Sequence, residues 1–315
     1  MTLRILLTGK NGQVGSELCR LLSPNCELTA LGRNELDLAN ADDIHRAIAH
    51  VRPALIINAA AYTAVDQAEK EEGQARAING DAPGVVAAEA KKIGASLIHY
   101  STDYVFDGTK RSPYMEDDPT NPLSAYGRTK LAGEEAIRTS GVPHLILRTA
   151  WVYATSGKNF LLTILRLAST REELRIVNDQ FGAPTPARAI ALATARLVGN
   201  CEADCAGWFA ENSGTYHLTA AGETTWYEFA VEILNTAHEL VPAERPQDVP
   251  GWVTAATGGR PIIAKRVTPI TTAEYPTPAR RPAYSVLSNA RFAASFGFSL
   301  PDWRSQLAET VQNAS

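Results

Sequence analysis

The first 150 residues alternate short apolar runs with amphipathic stretches. Residues 3–8 form an apolar run that ends at a glycine turn, and Val14, Leu18, Leu21 and Leu22 then recur at the spacing of one helix face. The same alternation predicts further strands at 28–31, 55–58, 97–101 and 145–148, and helices at 41–51, 67–93 (broken near Gly80 and Pro83) and 125–139. Strands that alternate with helices predict an α/β fold, a Rossmann-type doubly wound parallel sheet with right-handed crossovers.

The second half of the chain has a weaker pattern. Helices are predicted at 159–168, 186–198, 225–240, 287–296 and 303–312. Residues 242–282 are rich in proline and lack periodicity, so we expect a long irregular connection there. We therefore predict a dinucleotide-binding domain over residues 1–150 and a smaller mixed substrate-binding domain, mainly 151–315, some of whose segments return to the first domain.

Composition and charge exclude several classes of protein. The chain has 315 residues, 45% of them hydrophobic and 20% charged, which is typical of a globular protein with a substantial core. A formal charge of −4 argues against general binding to nucleic acid or to a membrane surface. No apolar run reaches the ~18 residues of a membrane span, and no secretory signal is visible. Four cysteines without a Cys-x-x-Cys pair favour a reducing cytoplasm and argue against zinc.

A glycine-rich turn follows the first predicted strand and precedes the first predicted helix. Its spacing is Gly9-x-x-Gly12-x-x-Gly15, with Gln13 and Val14 inside it. Glycines let the backbone turn sharply and approach a pyrophosphate, and the helix N-terminus offers free N–H groups. The arrangement predicts a dinucleotide site, although a glycine turn after a strand can also be merely structural.

The end of the second predicted strand bears on the choice of cofactor. An acidic residue there binds the ribose 2′-hydroxyl of NAD, but this strand ends in Leu31-Gly32-Arg33. Arg33 can pair with a 2′-phosphate, so we predict NADPH, with NADH as an accepted alternative; the competing interpretation is a solvated turn residue. The remaining predicted cofactor contacts lie near the adenine or beside the strand end at 58, and they are Asp37, Leu38, Ala60, Ala61 and Thr63.

A tyrosine and a lysine stand four residues apart in a predicted helix. Tyr126 and Lys130 therefore share one helix face, where the lysine ammonium can lower the pKa of the phenol and contact the nicotinamide ribose. Thr102 ends the preceding strand and can polarise a carbonyl or orient the tyrosine. Isolated Tyr-x-x-x-Lys pairs are mostly ordinary helix surface. With Ser101-Thr102 and the glycine turn upstream, the set predicts carbonyl reduction or alcohol oxidation with a nicotinamide cofactor.

At this point the chain resembles the extended short-chain dehydrogenase/reductases, and among them the family of dTDP-4-dehydrorhamnose reductases. The matching stretches are 9–15 GKNGQVG, 58–66 NAAAYTAVD, 100–107 YSTDYVFD, 122–130 PLSAYGRTK, 148–153 RTAWVY, 178–185 NDQFGAPT and 281–285 RPAYS. The resemblance implies reduction of dTDP-4-dehydro-L-rhamnose to dTDP-L-rhamnose by hydride transfer from NADPH, within dTDP-rhamnose biosynthesis. It implies Tyr126 as proton donor, Lys130 as its partner and Thr102 as the assisting hydroxyl.

The resemblance also implies a substrate pocket, an assembly and a metal question. Asp103, Trp151, Asn178 and Gln180 would contact the dTDP-sugar, with Trp151 as a lid over the deoxysugar, although a tryptophan can equally be core. The assembly would be a monomer or a homodimer. Some relatives form metal-bridged dimers through glutamates. Glu17 fits one such position, but Arg188 stands where another acid is expected, so no metal ligand is predicted and Mg²⁺ is kept only as an alternative.

Three other functions stay open at this point. A 4,6-dehydratase typically has Thr-Asp-Glu, whereas this chain has Thr102-Asp103-Tyr104, which argues against elimination. An epimerase of the same superfamily is excluded only weakly. A non-catalytic regulatory subunit on the same fold is disfavoured by the intact Thr102, Tyr126 and Lys130.

Overall fold

The central feature of the computed structural model, which describes residues 2–201, 203–240 and 249–312, is a parallel six-stranded sheet. Its strands are β1 (Arg4–Thr8), β2 (Glu27–Leu31), β3 (Leu55–Asn58), β4 (Ser96–Thr102), β5 (His144–Thr149) and β10 (Gly214–His217). Their order is β10-β5-β4-β3-β1-β2, so the chain reverses direction across the sheet between β1 and β3. In open α/β sheets the carboxyl ends of the strands at such a switch point form the ligand crevice.

Helices cover both faces of this sheet. The helices are α1 (Gln13–Leu22), α2 (Ala41–Val51), α3 (Val65–Ala68), α4 (Glu72–Arg76), α5 (Ala82–Ile93), α6 (Ala125–Ser140), α7 (Phe160–Ala168), α8 (Ala187–Asn200), α9 (Cys205–Glu211), α10 (Trp226–Leu240), α11 (Gly251–Thr257), α12 (Ala290–Phe296) and α13 (Trp303–Gln312). Alternate strand residues pack against α1, α8, α9 and α12 on one face, and against α2, α5 and α6 on the other. The predicted doubly wound α/β fold is confirmed.

A second, smaller core holds the second half of the chain together. Residues of α7, α10 and α13 form it around Phe229, and a short parallel pair joins β7 (Glu173–Val177) to β12 (Arg266–Ile270). The remaining strands have two residues each, and they are β6 (Val152–Tyr153), β8 (Phe181–Gly182), β9 (Thr185–Pro186) and β11 (Thr224–Thr225). The second half of the chain also supplies β10 and α8 to the central sheet layer, and the division near residue 150 stays a prediction.

Two sequence predictions need correction. Residues 242–282 were expected to be irregular; 241–248 lie outside the described residues, and the remainder contains α11 and strand β12, whose partner lies about ninety residues upstream. The helical stretch 67–93 does not break near Gly80 and Pro83, because a π-helical turn at Ala77–Asp81 leads directly into α5. Proline is tolerated in the first turn of a helix, where its missing N–H has no intrahelical partner.

Candidate active site

A cleft of about 740 Å³ opens at the carboxyl ends of the central strands. Its floor is the turn between β1 and α1, where Gly9 has φ +77° and a Cβ at that position would lie 2.7 Å from Ala60 N. A Cβ on Gly15 would overlap the Gly9 carbonyl, so this third glycine closes the turn from behind rather than lining the cleft. The turn therefore has glycine where its backbone comes closest to the segment that follows β3.

The N-terminus of α1 faces this turn without a side-chain cap. Gly12 is the N-cap residue and offers no oxygen to the first N–H groups of the helix. Those donors, with the positive end of the helix dipole, are suited to a phosphate group. Gln13 closes the turn from the other side, where its Oε1 accepts a hydrogen bond of 2.8 Å from Asn159 Nδ2. The residues present thus fit a dinucleotide pyrophosphate.

The rim beyond β2 carries the predicted adenine contacts. Arg33 is exposed, lines the cleft and forms no ion pair within the described residues. An acidic side chain is nearby, but Glu35 is occupied by Lys10 Nζ at 2.6 Å and by Gly32 N at 2.7 Å. Asp37, Leu38, Ala60, Ala61 and Thr63 line the same part of the cleft. The unpaired guanidinium is the feature suited to a 2′-phosphate.

Helix α6 presents the tyrosine and lysine to the cleft. Ser124 caps the helix by accepting a hydrogen bond from Gly127 N, and Glu69 Oε1 accepts from Ala125 N at 2.8 Å. A Cβ on Gly127 would overlap the Tyr104 carbonyl, so this glycine lets the segment after β4 approach the helix. Tyr126, Lys130 and Thr102 consequently line one cleft, as the sequence predicted.

The tyrosine is protonated at neutral pH in this structure. Burial, with the nearby carboxylate of Asp103, raises the pKa of Tyr126 to about 12, against a smaller opposing effect of the Thr102 hydroxyl. The i,i+4 spacing of Tyr126 and Lys130 predicts that the lysine ammonium lowers the pKa of Tyr126. The structure instead places Lys130 Nζ 2.5 Å from the Tyr100 carbonyl and 3.2 Å from His99 Nε2, and burial lowers the pKa of Lys130 to about 8.

A buried carboxylate, Asp103, stands beside Thr102 and Tyr126. Asp103 Oδ1 accepts a 3.0 Å hydrogen bond from Thr102 Oγ, while its Oδ2 has no hydrogen-bond partner among the described residues. Burial raises the pKa of Asp103 to about 6. The Ser285 and Thr102 hydroxyls partly offset this effect of burial, so neighbouring hydroxyls hold the carboxyl at the wall of the cleft.

Trp151 forms the wall of the cleft towards the second half of the chain. Its ring stacks on Trp226 with centroids 3.5 Å apart and planes within 6°, and its backbone has φ +47°, which is uncommon for a non-glycine residue. The backbone of Gly182 also approaches this ring, because a Cβ at Gly182 would lie 2.6 Å from Trp151 Cζ2. Trp151 is thus held at the cleft by its contacts with Trp226 and Gly182, an arrangement that we call the clamp on Trp151.

Two predicted substrate residues do not reach the cleft. Asn178 Oδ1 accepts from Thr225 Oγ at 2.7 Å, and Gln180 Nε2 donates to Thr272 Oγ at 3.0 Å. Both side chains tie together segments of the smaller core, and the 178–185 stretch meets the cleft wall through Gly182. Sequence reasoning missed Trp226 and Lys158, which line the cleft but belong to no recognisable motif.

No metal centre emerges from the described parts of the chain. They contain no group of three or more His, Cys, Asp or Glu side chains arranged to hold an ion. Glu17 pairs with Arg20 at 2.8 Å, and its carboxylate lies 4.0 Å from Arg188. Within the same residues no helix is long and apolar enough to span a membrane.

Comparison with known proteins gives one consistent result. The model of the RmlD substrate binding domain matches residues 3–315. A dTDP-4-dehydrorhamnose reductase of Burkholderia thailandensis is 49% identical over 96% of both chains, and one of Escherichia coli is 42% identical over 96% of this chain and 95% of its own. A Bacillus anthracis dTDP-4-dehydrorhamnose reductase, solved in complex with NADP, is 31% identical, has a TM-score of 0.84 and covers 100% of this chain and 99% of its own.

Proposed function

This chain belongs to the RmlD family of dTDP-4-dehydrorhamnose reductases, and we propose how its own residues carry out the family's reaction. The reaction is an NADPH-dependent reduction of dTDP-4-dehydro-L-rhamnose to dTDP-L-rhamnose. NADPH supplies the hydride when it is bound. The protein must therefore bind the cofactor, orient the sugar and deliver one proton to the oxygen that becomes a hydroxyl.

The proposed cofactor site extends along the floor of the cleft. Gly9, Gly12 and the free N–H groups of α1 hold the pyrophosphate, where any larger residue at Gly9 would collide with Ala60. Arg33 pairs with the 2′-phosphate, because its guanidinium has no competing ion pair among the described residues. Lys130 contacts the nicotinamide end from the opposite wall.

We assign the proton donor to Tyr126. A reduction consumes a proton, and a phenol whose pKa is about 12 carries that proton throughout the neutral range. Lys130, held by Tyr100 O and His99, offsets the charge that the tyrosinate acquires after the transfer. Thr102 Oγ, which points to Asp103 in this structure, donates to the substrate oxygen when the sugar enters.

The observation that supports this assignment is that Thr102, Tyr126 and Lys130 line one cleft although they come from separate elements. Thr102 comes from the end of β4, Tyr126 and Lys130 from α6, and Gly127 permits the close approach of the two segments. A general acid must lie within hydrogen-bond reach of the atom that it protonates. The same cleft meets the glycine turn on one side and Trp151 on the other, so cofactor and sugar can be bound on either side of Tyr126.

The test is NADPH oxidation followed by absorbance with dTDP-4-dehydro-L-rhamnose. We expect net oxidation by the wild type, whereas an epimerase or a binding subunit gives none. Tyr126→Phe should lower kcat by roughly 10²–10⁴ while the Kd for NADPH stays within about twofold. The matched control is Tyr114→Phe, which removes a hydroxyl bonded to Asp107 outside the cleft and should keep wild-type kcat. An unchanged kcat in Tyr126→Phe removes the assignment.

A further inference from the structure

A row of polar side chains lies buried beneath the cleft, across three neighbouring strands. Thr8, Asn58 and His99 occupy the same register on β1, β3 and β4, on the face that packs against α2, α5 and α6. Each is at most 2% exposed. The residues that precede them in the strands, 5–7, 55–57 and 97–98, are apolar, and burying polar groups is costly unless they are paired. The row therefore has a role that an apolar triplet would not serve.

The row ends at the lysine of the active site. Thr8 Oγ donates to Asn58 Oδ1 at 2.7 Å, Asn58 Nδ2 lies 3.1 Å from His99 Nδ1, and His99 Nε2 lies 3.2 Å from Lys130 Nζ. A second acceptor, the Tyr100 carbonyl, lies 2.5 Å from the same nitrogen. An ammonium has three N–H donors, so one donor is left for the cleft, which Lys130 lines.

The chemistry of the row fixes the form of the histidine. An ammonium only donates, so His99 Nε2 must accept, and the ring proton of the neutral imidazole is then on Nδ1. Asn58 has to present its oxygen to that proton. In this structure the Asn58 nitrogen faces His99 and its oxygen faces Thr8. A 180° turn of the amide, which exchanges two ends of similar shape, lets the oxygen accept from Nδ1 while the nitrogen donates to Thr8 Oγ. Burial and the adjacent ammonium both hold the pKa of His99 well below its ordinary value, which keeps the ring neutral.

We propose that His99 is a positioning residue: it accepts a hydrogen bond from Lys130, fixes the ammonium at the wall of the cleft, and is itself oriented by Asn58 and Thr8. The proposal rests on the role given to Lys130 under the proposed function. In addition, a histidine that does not contact the substrate controls the charge of Lys130 and the orientation of its ammonium group.

The other ionisable groups around this pair do not replace His99. Glu134 favours the charged form of Lys130, but the carboxylate is bonded to Arg148 at 2.7 Å and to Arg138 at 3.0 Å. His144 on β5 acts on His99, and burial lowers its own pKa, so it is neutral in the alkaline range. Tyr126 shares the cleft, but its hydroxyl forms no hydrogen bond with Lys130 Nζ in this structure. The direct contacts left to the ammonium are His99 and Tyr100 O.

The test compares the alkaline limb of kcat in two variants of His99. Loss of charge on Lys130 lowers kcat as pH rises. A hydrogen bond to the charged form raises the pKa of a lysine, so His99→Leu should shift this limb to lower pH by about one unit, with kcat at pH 8 reduced roughly fivefold from the starting pKa of about 8. His99→Gln places an amide oxygen near the position of Nε2 and should return the limb to within about 0.3 of a unit of wild type.

A matched control separates this effect from general damage. Thr194→Val removes a buried hydroxyl that bonds Tyr100 OH at 2.7 Å on the α8 side of the sheet. It should cost comparable stability without moving the alkaline limb. A second readout needs no turnover: the pH at which the Kd for NADPH begins to rise, measured by cofactor fluorescence, should shift in His99→Leu by the same amount as kcat.

Several results would overturn the proposal. A folded His99→Leu with the wild-type limb refutes it, as does His99→Gln that behaves like leucine. If His99→Leu fails to fold, His99→Asn is used, since its shorter side chain remains polar but does not reach Lys130; it must show the shift that glutamine lacks. Lys130→Met separates this inference from the function itself. If Lys130→Met is active, the role of the lysine fails, whereas an inactive Lys130→Met beside an unshifted His99→Leu sinks only the positioning role.

Discussion

Replacing Gly182 by alanine tests whether the clamp on Trp151 shapes substrate binding. The added Cβ would lie 2.6 Å from Trp151 Cζ2, whereas non-bonded carbon atoms prefer about 3.5–4.0 Å. The ring would have to move by roughly 1 Å. The ring also stacks on Trp226 at a centroid distance of 3.5 Å, so a movement of the ring would disturb this stacking.

The energy involved can be bounded before the experiment. Overpacking of this kind costs about 1–3 kcal/mol. If the ring keeps its place, the loss falls on the free energy of unfolding; if the ring moves, it falls on the binding of the sugar nucleotide. In the second case KM for dTDP-4-dehydro-L-rhamnose should rise roughly 5- to 100-fold, since about 1.4 kcal/mol corresponds to a factor of ten. The Kd for NADPH should not change, because the glycine turn lies on the other side of the cleft.

Calorimetry with each ligand and chemical denaturation measure these losses separately. The control is Gly199→Ala in α8, where a Cβ meets nothing within 4 Å; it should leave KM unchanged and stabilise the helix slightly. In a Trp151→Ala background the clash is absent, so Gly182→Ala should then cost almost nothing. Wild-type KM together with wild-type stability in Gly182→Ala would refute the clamp. Equal loss of both ligands would identify Trp151 as a general core residue.

Two further changes probe the cofactor rim and the core beneath the site. Arg33→Ala should raise KM for NADPH more than KM for NADH, since only NADPH carries the phosphate; equal effects in steady-state assays would exclude Arg33 from the phosphate site. Arg148→Met should lower the free energy of unfolding by about 3–5 kcal/mol, because it leaves the fully buried Glu134 without its 2.7 Å partner. Arg128→Met, which breaks an exposed pair with Glu72, should cost less than about 1 kcal/mol in the same denaturation assay.

The sequence predicted the parts of the molecule that depend on local pattern. The strand, glycine turn and helix over residues 4–22, and the helix that carries Tyr126 and Lys130, have their signals within a few residues of each other. Parallel connection through helices then places the strand ends at one edge of the sheet. Thr102 and Tyr126 could therefore be assigned to one cleft without any knowledge of tertiary contacts.

Contacts between distant segments were not predictable in this way. Strand β12 contains Pro269, lies in a proline-rich stretch and pairs with β7, so neither its composition nor its neighbours indicate a strand. Trp226 begins a helix whose periodicity predicts only an apolar face, and its stacking on Trp151 depends on how two halves of the chain meet. The predicted shift in the pKa of Tyr126 was wrong in direction for a similar reason. The i,i+4 spacing puts Lys130 on the same face, but burial and the acceptors below the lysine decide where its charge lies.

The buried polar row shows which signal can find such residues without an alignment. An interior parallel strand is expected to be apolar along its whole length, because helices cover both of its faces. Thr8, Asn58 and His99 each follow at least two apolar residues on three neighbouring strands. Thr8 and Asn58 end β1 and β3, whereas β4 continues past His99 to Thr102. A single interruption has no evident meaning. Three polar residues at one register level of neighbouring strands can satisfy their hydrogen bonds with each other. Together they can then orient a charged group near the strand ends. In this chain that charge is Lys130, so the departure from an apolar pattern marks the groups that we propose to position this lysine.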